Sequence, residues 1–570
     1  MRNPTDTSRI DARTVFIATW AALSLLKLGI AARLPLFVDE AFYWQESRHL
    51  AWAYSDLPGL TAWMIRVGTT LFGDGVLAVR LPFLAIAALV PWLVVRIAAR
   101  EFDVRSAWLA GTATLLLPLA GTLGLLALPD AAMALATLLC VDAAARLLRK
   151  VSYGASLQLA AGLAIGALSH YRFAGVIGVG LVALLLLPAG RQALRDPRVW
   201  ISIAFGAAAW TPLLAWNLEN AEAGLRFQLV ERHPWAWQPE GFWFVAIQGL
   251  LVTPLLFVAL LLAALKAVRG GEPRLRLLGW LGGLVVLGFF SLGFFADTQR
   301  VSFHWPLPGY LALMPLLPTV LAAWPRALRI ATWALAACGL VAVLGYYAVV
   351  SVPGLRAQTA GLKWYPANFA GWSELADAVR ARRDGMPAGT RVIADNFKIG
   401  AELGFALGDP RIEVLQHPLN RAHGRAPQLQ LWRLEATGAT DPLTTPVLLV
   451  VGASDVEYKH LLLRYQGLCR RFGPLPPPRV LNIDHGRVRY LVFALGVEAA
   501  GATRATGGCV APAMAWIDTP ASGSRVGTPL AVSGWAFKEG VGIASVEVLA
   551  DGEVVARARY GLPAPGVLTF

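Results

Sequence analysis

The residues with the most chemical potential stand in short groups beside long apolar stretches. Asp39 and Glu40 follow the first such stretch, in Val38-Asp39-Glu40-Ala41-Phe42-Tyr43-Trp44. Asp130 stands in Leu128-Pro129-Asp130, His170, Tyr171 and Arg172 are consecutive, and Asp297, Arg300 and His304 flank a later apolar stretch. A carboxylate can deprotonate a hydroxyl or hold a divalent metal, and Arg and His can neutralise a departing phosphate. Singly, each has an ordinary reading: an acid that caps a helix, an arginine that snorkels to a headgroup, a histidine at the interface. Gathered on one side of a membrane, where charge at depth is expensive, they imply one shared polar site.

The elements that must position them are membrane helices. Of the 570 residues 56% are hydrophobic and 15% charged, too apolar a balance for a water-soluble globule of this length. A helix crossing the hydrocarbon needs roughly 20 apolar residues. Segments near 13–32, 75–96, 105–121, 126–147, 155–170, 173–188, 199–217, 241–265, 276–296, 304–323 and 329–350 meet that need, which predicts about 11 spans. Basic loops stay on the cytoplasmic side. One set of alternate loops holds 18 Lys and Arg and the other seven, so the N-terminus is expected in the cytoplasm and everything after about 351 outside. This places the acids and bases above at the outer ends. The formal charge of +14 is then a topology signal, and no soluble segment interleaves a basic face with aromatics as a nucleic-acid site would.

Between the spans, 33–74 reads as external interfacial helices and 218–240 as a second external loop carrying Arg226, Arg232, His233 and two tryptophans. The transmembrane part is expected over 1–350 and a small extracytoplasmic α/β domain over 360–500, with strands at Arg391–Ala394 and Pro446–Val451 and helices at Trp372–Arg382 and Ile399–Leu407. A Gly/Ala-rich linker leads to 510–570, a β-rich, immunoglobulin-like module shorter than a full sandwich, with a turn at Asp551-Gly552. Cys140 and Cys338 fall inside spans as apolar fillers, whereas an oxidising exterior permits Cys469 and Cys509 to pair.

The string Asp39-Glu40-Ala41-Phe42-Tyr43-Trp44 resembles the Asp-Glu-Ala-Tyr-Tyr-Trp signature of the GT-C membrane glycosyltransferases, the class of the lipid A aminoarabinose transferase and the protein O-mannosyltransferases. Further landmarks follow in order: Leu57-Pro58-Gly59-Leu60, Gly73-Asp74 with Val79-Arg80-Leu81-Pro82, Leu128-Pro129-Asp130-Ala131, Leu168-Ser169-His170-Tyr171, Trp216-Asn217 with Arg226-Phe227-Gln228-Leu229, and His304-Trp305-Pro306. They span about 33–320. Asp395-Asn396-Phe397 with Glu402-Leu403-Gly404-Phe405 resembles an external domain of some members. Two places depart from the pattern: His170 stands where the family often has Lys, with Arg172 as the nearby cation, and Leu57-Pro58-Gly59 replaces a His-Pro-Pro.

The resemblance implies a GT-C-like bundle and inverting transfer of a sugar from a polyprenyl-phosphate donor. The acceptor is a lipid such as lipid A, an envelope glycan or a protein, at the outer face of the cytoplasmic (inner) membrane. Carried over by position, Asp39 activates the acceptor, Glu40 supports it and Asp130 is a second acid. His170, Arg172, Arg300 and His304 face the donor phosphate, and Tyr43 and Arg226 contact the acceptor or its loop. No cofactor is certain. If a divalent metal is used, Asp39, Asp130 and His304 are its candidate ligands. Donor, acceptor and membrane lipids are the implied partners, with no nucleic acid. Two rival classes remain from the residues alone: a polyprenyl-lipid flippase or transporter, for which midplane charges and repeated halves are expected, and a non-catalytic glycan- or lipid-binding membrane protein.

Overall fold

A computed structural model of the chain describes residues 11–563 except 222, 233–234, 297–302, 437–444, 497–512, 522–523 and 539–541, and the side chain of Lys459. Two compact units result: residues 1–351 together with 422–428, and residues 352–421 together with 429–570.

The first unit is a multi-pass helical bundle. Among the described residues six helices are long and apolar enough to cross a membrane: Ala12–Arg33 (α1), Val76–Glu101, Asp130–Arg149, Pro197–Glu219, Pro273–Gly293 and Arg326–Val350. Gly241–Leu251 and Pro254–Arg269 are bent by 104° and make a seventh if counted as one span. The expected count of 11 is thus not reached by length and composition. Every expected segment is helical, but Tyr153–Ser169, Phe173–Leu186 and Leu307–Ala323 are shorter apolar helices. At about 1.5 Å per residue, the 17 residues of Tyr153–Ser169 reach about 26 Å, less than the hydrocarbon thickness of about 30 Å. Prolines mark these breaks: Pro118 follows the helix Val104–Leu116, and Pro188 follows Phe173–Leu186.

Between α1 and the next long helix lie Val38–Arg48 (α2) and Leu60–Phe72 (α3), followed by Val76–Glu101 (α4). Only α3 fits the expected interfacial helix. It buries Thr61, Ala62, Ile65, Gly68 and Thr69 on one face, and leaves Val67, Leu71 and Phe72 exposed on the other. By contrast α2 buries nine of its 11 residues, two glutamates among them. A charged helix can be enclosed in this way only where cations come to meet it.

In the second unit the order β2-β1-β3-β5-β4 makes a mixed five-stranded sheet. Strands β1 (Arg391–Ala394), β2 (Glu413–Val414) and β3 (Val447–Gly452) run parallel, while β4 (Arg479–Ile483) and β5 (Val488–Leu495) add antiparallel. All six residues of β3 are buried, as a strand covered on both faces requires. Helices Trp372–Asp384, Phe397–Leu407 and Tyr458–Phe472 accompany the sheet, and Tyr465, Leu468 and Phe472 pack on Leu449, Val451 and Phe493. Beyond 513 the described residues form two separate antiparallel pairs, β6 (Met514–Thr519) with β7 (Ser533–Phe537) and β8 (Glu547–Ala550) with β9 (Glu553–Arg557). The tight turn between β8 and β9 falls at Asp551-Gly552, both at positive φ (52° and 89°). Cys469 is disulfide-bonded, Cys509 lies outside the described residues, and Cys140 and Cys338 are free thiols.

Candidate active site

The sequence pair Asp39-Glu40 separates into two roles. Glu40 sits at the third position of α2 and accepts a hydrogen bond from Phe37 N (2.9 Å), closing the first turn of the helix. Its carboxylate also receives Arg80 Nε (2.8 Å), Arg80 Nη2 (2.5 Å) and Ala127 N (2.7 Å). Arg80 spends its remaining donors on the carbonyls of Ala31, Leu34 and Pro35. Both side chains are 0% exposed. The structure places Glu40, expected to support Asp39, in a buried brace away from the cavity. The step from Asp39 to Glu40 along α2 points this side chain into the bundle, where a bidentate arginine ties α2, α4 and the segment before Asp130 together.

Asp39, one residue earlier, projects the other way and is 30% exposed. Its Oδ1 accepts from Arg425 Nη2 at 3.0 Å. Arg425 belongs to the first unit although it lies far along the chain. Its guanidinium is 4% exposed, also contacts the carboxylates of Asp56 and, at 3.8 Å, Glu46, and lies 4.3 Å from the Phe42 ring and 5.2 Å from Tyr43. Burial, then the proximity of Asp56, pushes the Glu46 carboxyl well above its usual range, and burial raises Asp56 as well. Neighbouring carboxylates hold the Arg425 guanidinium charged despite its burial.

A second group faces the same site. Asp130 Oδ1 lies 3.3 Å from both Arg172 Nη2 and His304 Nε2. The two ring nitrogens of His170 lie 3.1 and 3.2 Å from Arg172 N and Nε. A neutral imidazole accepts at one nitrogen, so it takes one of these bonds at a time. Burial, then the charges of Arg172 and Arg232, keeps His170 well below its ordinary pKa and hence neutral. Arg172 and Arg232 both stack on Trp305, with 4.8 and 5.2 Å from guanidinium carbon to ring centre. Arg232 arrives there because the helix Ala223–Arg226 widens into one π turn, Phe227–Glu231, whose first carbonyl accepts Arg232 N at 2.9 Å. The two groups sense one another: Arg232 is in electrostatic range of Asp39 and Asp56, and Arg172 of Tyr43. A backbone link joins them, since Gln228 Nε2 donates to Asp56 O at 3.0 Å.

The constellation read from the sequence thus converges for Asp39, Tyr43, Asp130, His170, Arg172 and His304. Arg226 does not join it: 68% exposed, it pairs with Glu231, and Arg232 takes its place in the site. Arg300, like Asp297 and His233, lies outside the described residues. Four contributors were missed. Glu46 and Asp56 carried no motif, Arg232 was noted only as part of its loop, and Arg425 lies over 380 residues from Asp39 in sequence. The candidate metal set Asp39, Asp130 and His304 does not form a trio. Asp130 meets His304, but Asp39 is engaged by Arg425, and among the described residues no three His, Cys, Asp or Glu side chains make a metal-holding group.

Beside the site the bundle holds an apolar cavity of about 440 Å³. Phe173, Trp200, Trp210, Leu281 and Pro308 are among its lining, so its walls begin one residue after Arg172 and four after His304.

A family model described as dolichyl-phosphate-mannose-protein mannosyltransferase matches residues 56–216. The lipid A galacturonosyltransferase RgtD of Rhizobium johnstonii is 30% identical over 305 residues, 52% of this chain and 62% of that protein, so the chain spans less than two thirds of its relative's length. Among solved structures, ArnT from Cupriavidus metallidurans in the apo state aligns with a TM-score of 0.60 at 14% identity, covering 85% of this chain and 98% of that one. The same protein bound to undecaprenyl phosphate gives 0.59 at 15% identity, covering 86% and 100%. The chain is therefore a multi-pass membrane protein with the GT-C glycosyltransferase fold.

Proposed function

We propose that the protein transfers a sugar from a polyprenyl-phosphate donor to a hydroxyl of lipid A or of another envelope glycan or protein. The single observation that carries the reading is the joint placement of Asp39, Asp130, Arg172, Arg232 and His304 around one partly buried site beside an apolar cavity. The relative named as a lipid A galacturonosyltransferase supports it, as does a fold shared with a protein solved in complex with undecaprenyl phosphate.

In this reading the Asp39 carboxylate takes the proton of the acceptor hydroxyl, and the hydroxyl oxygen attacks the anomeric carbon. The bond from that carbon to the phosphate oxygen breaks, and its electron pair leaves with the polyprenyl phosphate. Displacement in one step inverts the anomeric centre. Arg172 and Arg232, held rigidly on Trp305, stabilise the charge that grows on the phosphate, while Asp130 orients Arg172 and the His304 imidazole. The apolar cavity accommodates the isoprenoid units nearest the phosphate. The basic loops read from the sequence put the N-terminus in the cytoplasm, and put the site and the second unit outside the cytoplasmic membrane. The domain boundaries at 1–350, 360–500 and 510–570 belong to the same proposal.

The test is transfer by the purified protein in lipid nanodiscs, with polyprenyl-phosphate-linked galacturonic acid and lipid A, read by mass spectrometry. Transfer by the wild type and a loss of at least about 100-fold in Asp39→Asn are expected, since a general base contributes roughly 10²–10⁴. Full activity of Asp39→Asn would refute the assignment.

A further inference from the structure

The segment 422–428 leaves the chain's second unit and is part of the first. It is fastened there at both ends: Ser55 Oγ donates to Gly424 O at 2.6 Å, and Ser55 N donates to Gln428 Oε1 at 3.0 Å. At Gly424 the backbone has φ +71°, and a Cβ would come within 2.7 Å of the Phe227 ring, so only glycine permits the approach. Between the anchors the one long side chain that turns inward is Arg425. A guanidinium buried this deeply carries a large desolvation cost, which the three carboxylates and two aromatic faces offset.

We propose that Arg425 is the positioning residue for the acceptor-activating carboxylate, delivered by a strap of residues 422–428; this inference rests on the transferase reading above. Its Nη2 engages Asp39 Oδ1 and leaves Oδ2, which no described residue bonds, to meet an acceptor hydroxyl. The charged groups facing Asp39 are Arg425, Glu46, Asp56, Arg232 and the Tyr43 hydroxyl. Glu46 Oε1 lies 3.8 Å from the guanidinium, and burial and then the neighbouring Asp56 raise the Glu46 carboxyl. It keeps its proton more readily than an ordinary carboxyl, so the charge of Arg425 is shared mainly between Asp56 and Asp39. Because Asp56 also receives Gln228 through its carbonyl, the strap, the π turn and α2 fix the carboxylate from three directions. A displacement of about 1 Å at such a group costs on the order of 100-fold in rate.

The experiment uses the full-length protein in nanodiscs with polyprenyl-phosphate-linked galacturonic acid and lipid A. Arg425→Ala is expected to lower kcat about 100-fold while the donor KM stays within about threefold, because the donor-phosphate groups are untouched. Added methylguanidinium restores a measurable part of that activity, and Arg425→Lys retains more than Ala but less than the wild type, since an ammonium keeps the charge but lacks the planar, spread donors of a guanidinium. If Arg425→Ala fails to fold, Ser55→Ala loosens the strap alone and lowers kcat several-fold at unchanged donor KM. Unchanged kcat in Arg425→Ala, or in both Arg425→Lys and Ser55→Ala, overturns the role, as does a rise in donor KM at constant kcat. Absence of transfer by the wild type refutes the function itself, and the inference with it; transfer by the wild type and by Arg425→Ala alike refutes the inference alone.

Discussion

Glu40→Ala separates a brace from a base. The substitution leaves the Arg80 guanidinium 0% exposed with its three carbonyl partners but without its counter-charge, and it removes the acceptor of two backbone amides, Phe37 N and Ala127 N. Breaking a buried ion pair by removing one partner costs about 3–5 kcal/mol. Each orphaned buried amide adds roughly 1–3 kcal/mol where no relaxation occurs. These terms overlap, because the end of α2 can fray and admit water, so a loss of about 4 kcal/mol is the working value. It corresponds to about a thousandfold shift in the unfolding equilibrium. The assay is equilibrium unfolding in mixed micelles, followed by tryptophan fluorescence and run on Glu40→Ala, Arg80→Leu and the double variant. Replacing both partners removes the unpaired charge, so the double variant is expected to be more stable than the sum of the singles predicts, with a coupling of at least about 2 kcal/mol. Glu40→Ala with wild-type stability and lost transferase activity would refute the reasoning, because the carboxyl would then act in the reaction.

The arginines of the 218–240 loop should part company. Arg226→Ala, at a side chain 68% exposed and paired only at the surface, is expected to leave kcat/KM within about twofold, whereas Arg232→Ala, removed from the face of Trp305, lowers it by at least about tenfold. Kinetics of the two variants side by side decide this, and equal effects would remove Arg232 from the site. In the second unit, burial, then the Arg464 charge, lowers His417 to about 4. The unfolded chain takes up its proton near pH 6.5 and the folded chain only near 4, so this residue's contribution is present above about 6.5 and is lost as pH falls toward 4. Thermal unfolding between pH 7 and 4 should therefore fall less steeply in His417→Gln than in the wild type, and identical slopes would exclude the residue.

Local sequence determined a good deal about this protein. Hydropathy located the long apolar helices of the bundle, because burial in hydrocarbon is a property of each segment by itself. Alternation and apolar runs located β1 and β3 within a residue, and the Asp-Gly turn placed the last hairpin, because turn chemistry is local too. Span counting went further than length allows. Hydropathy registers apolar stretches whether or not a proline ends the helix short of the bilayer's width, as at Pro118 and Pro188. For the site, composition and order supplied Asp39, Asp130, His170, Arg172 and His304, which flank helices whose ends must share one side of the membrane.

What only the tertiary structure decided is which neighbour each charge meets. Asp39 and Glu40 are adjacent in sequence and alike in chemistry, and the 100° step of the helix sends one toward the site and the other into the bundle. Arg80 stood in a landmark string with no hint that it answers Glu40, and Arg425 stood in a stretch without any signal at all. Helical periodicity and hydropathy reach over about four residues or one span, whereas a guanidinium is matched to its carboxylates by distance in space. Contacts closing across 40 or 386 residues leave no trace in either chain segment, and only folding brings them together.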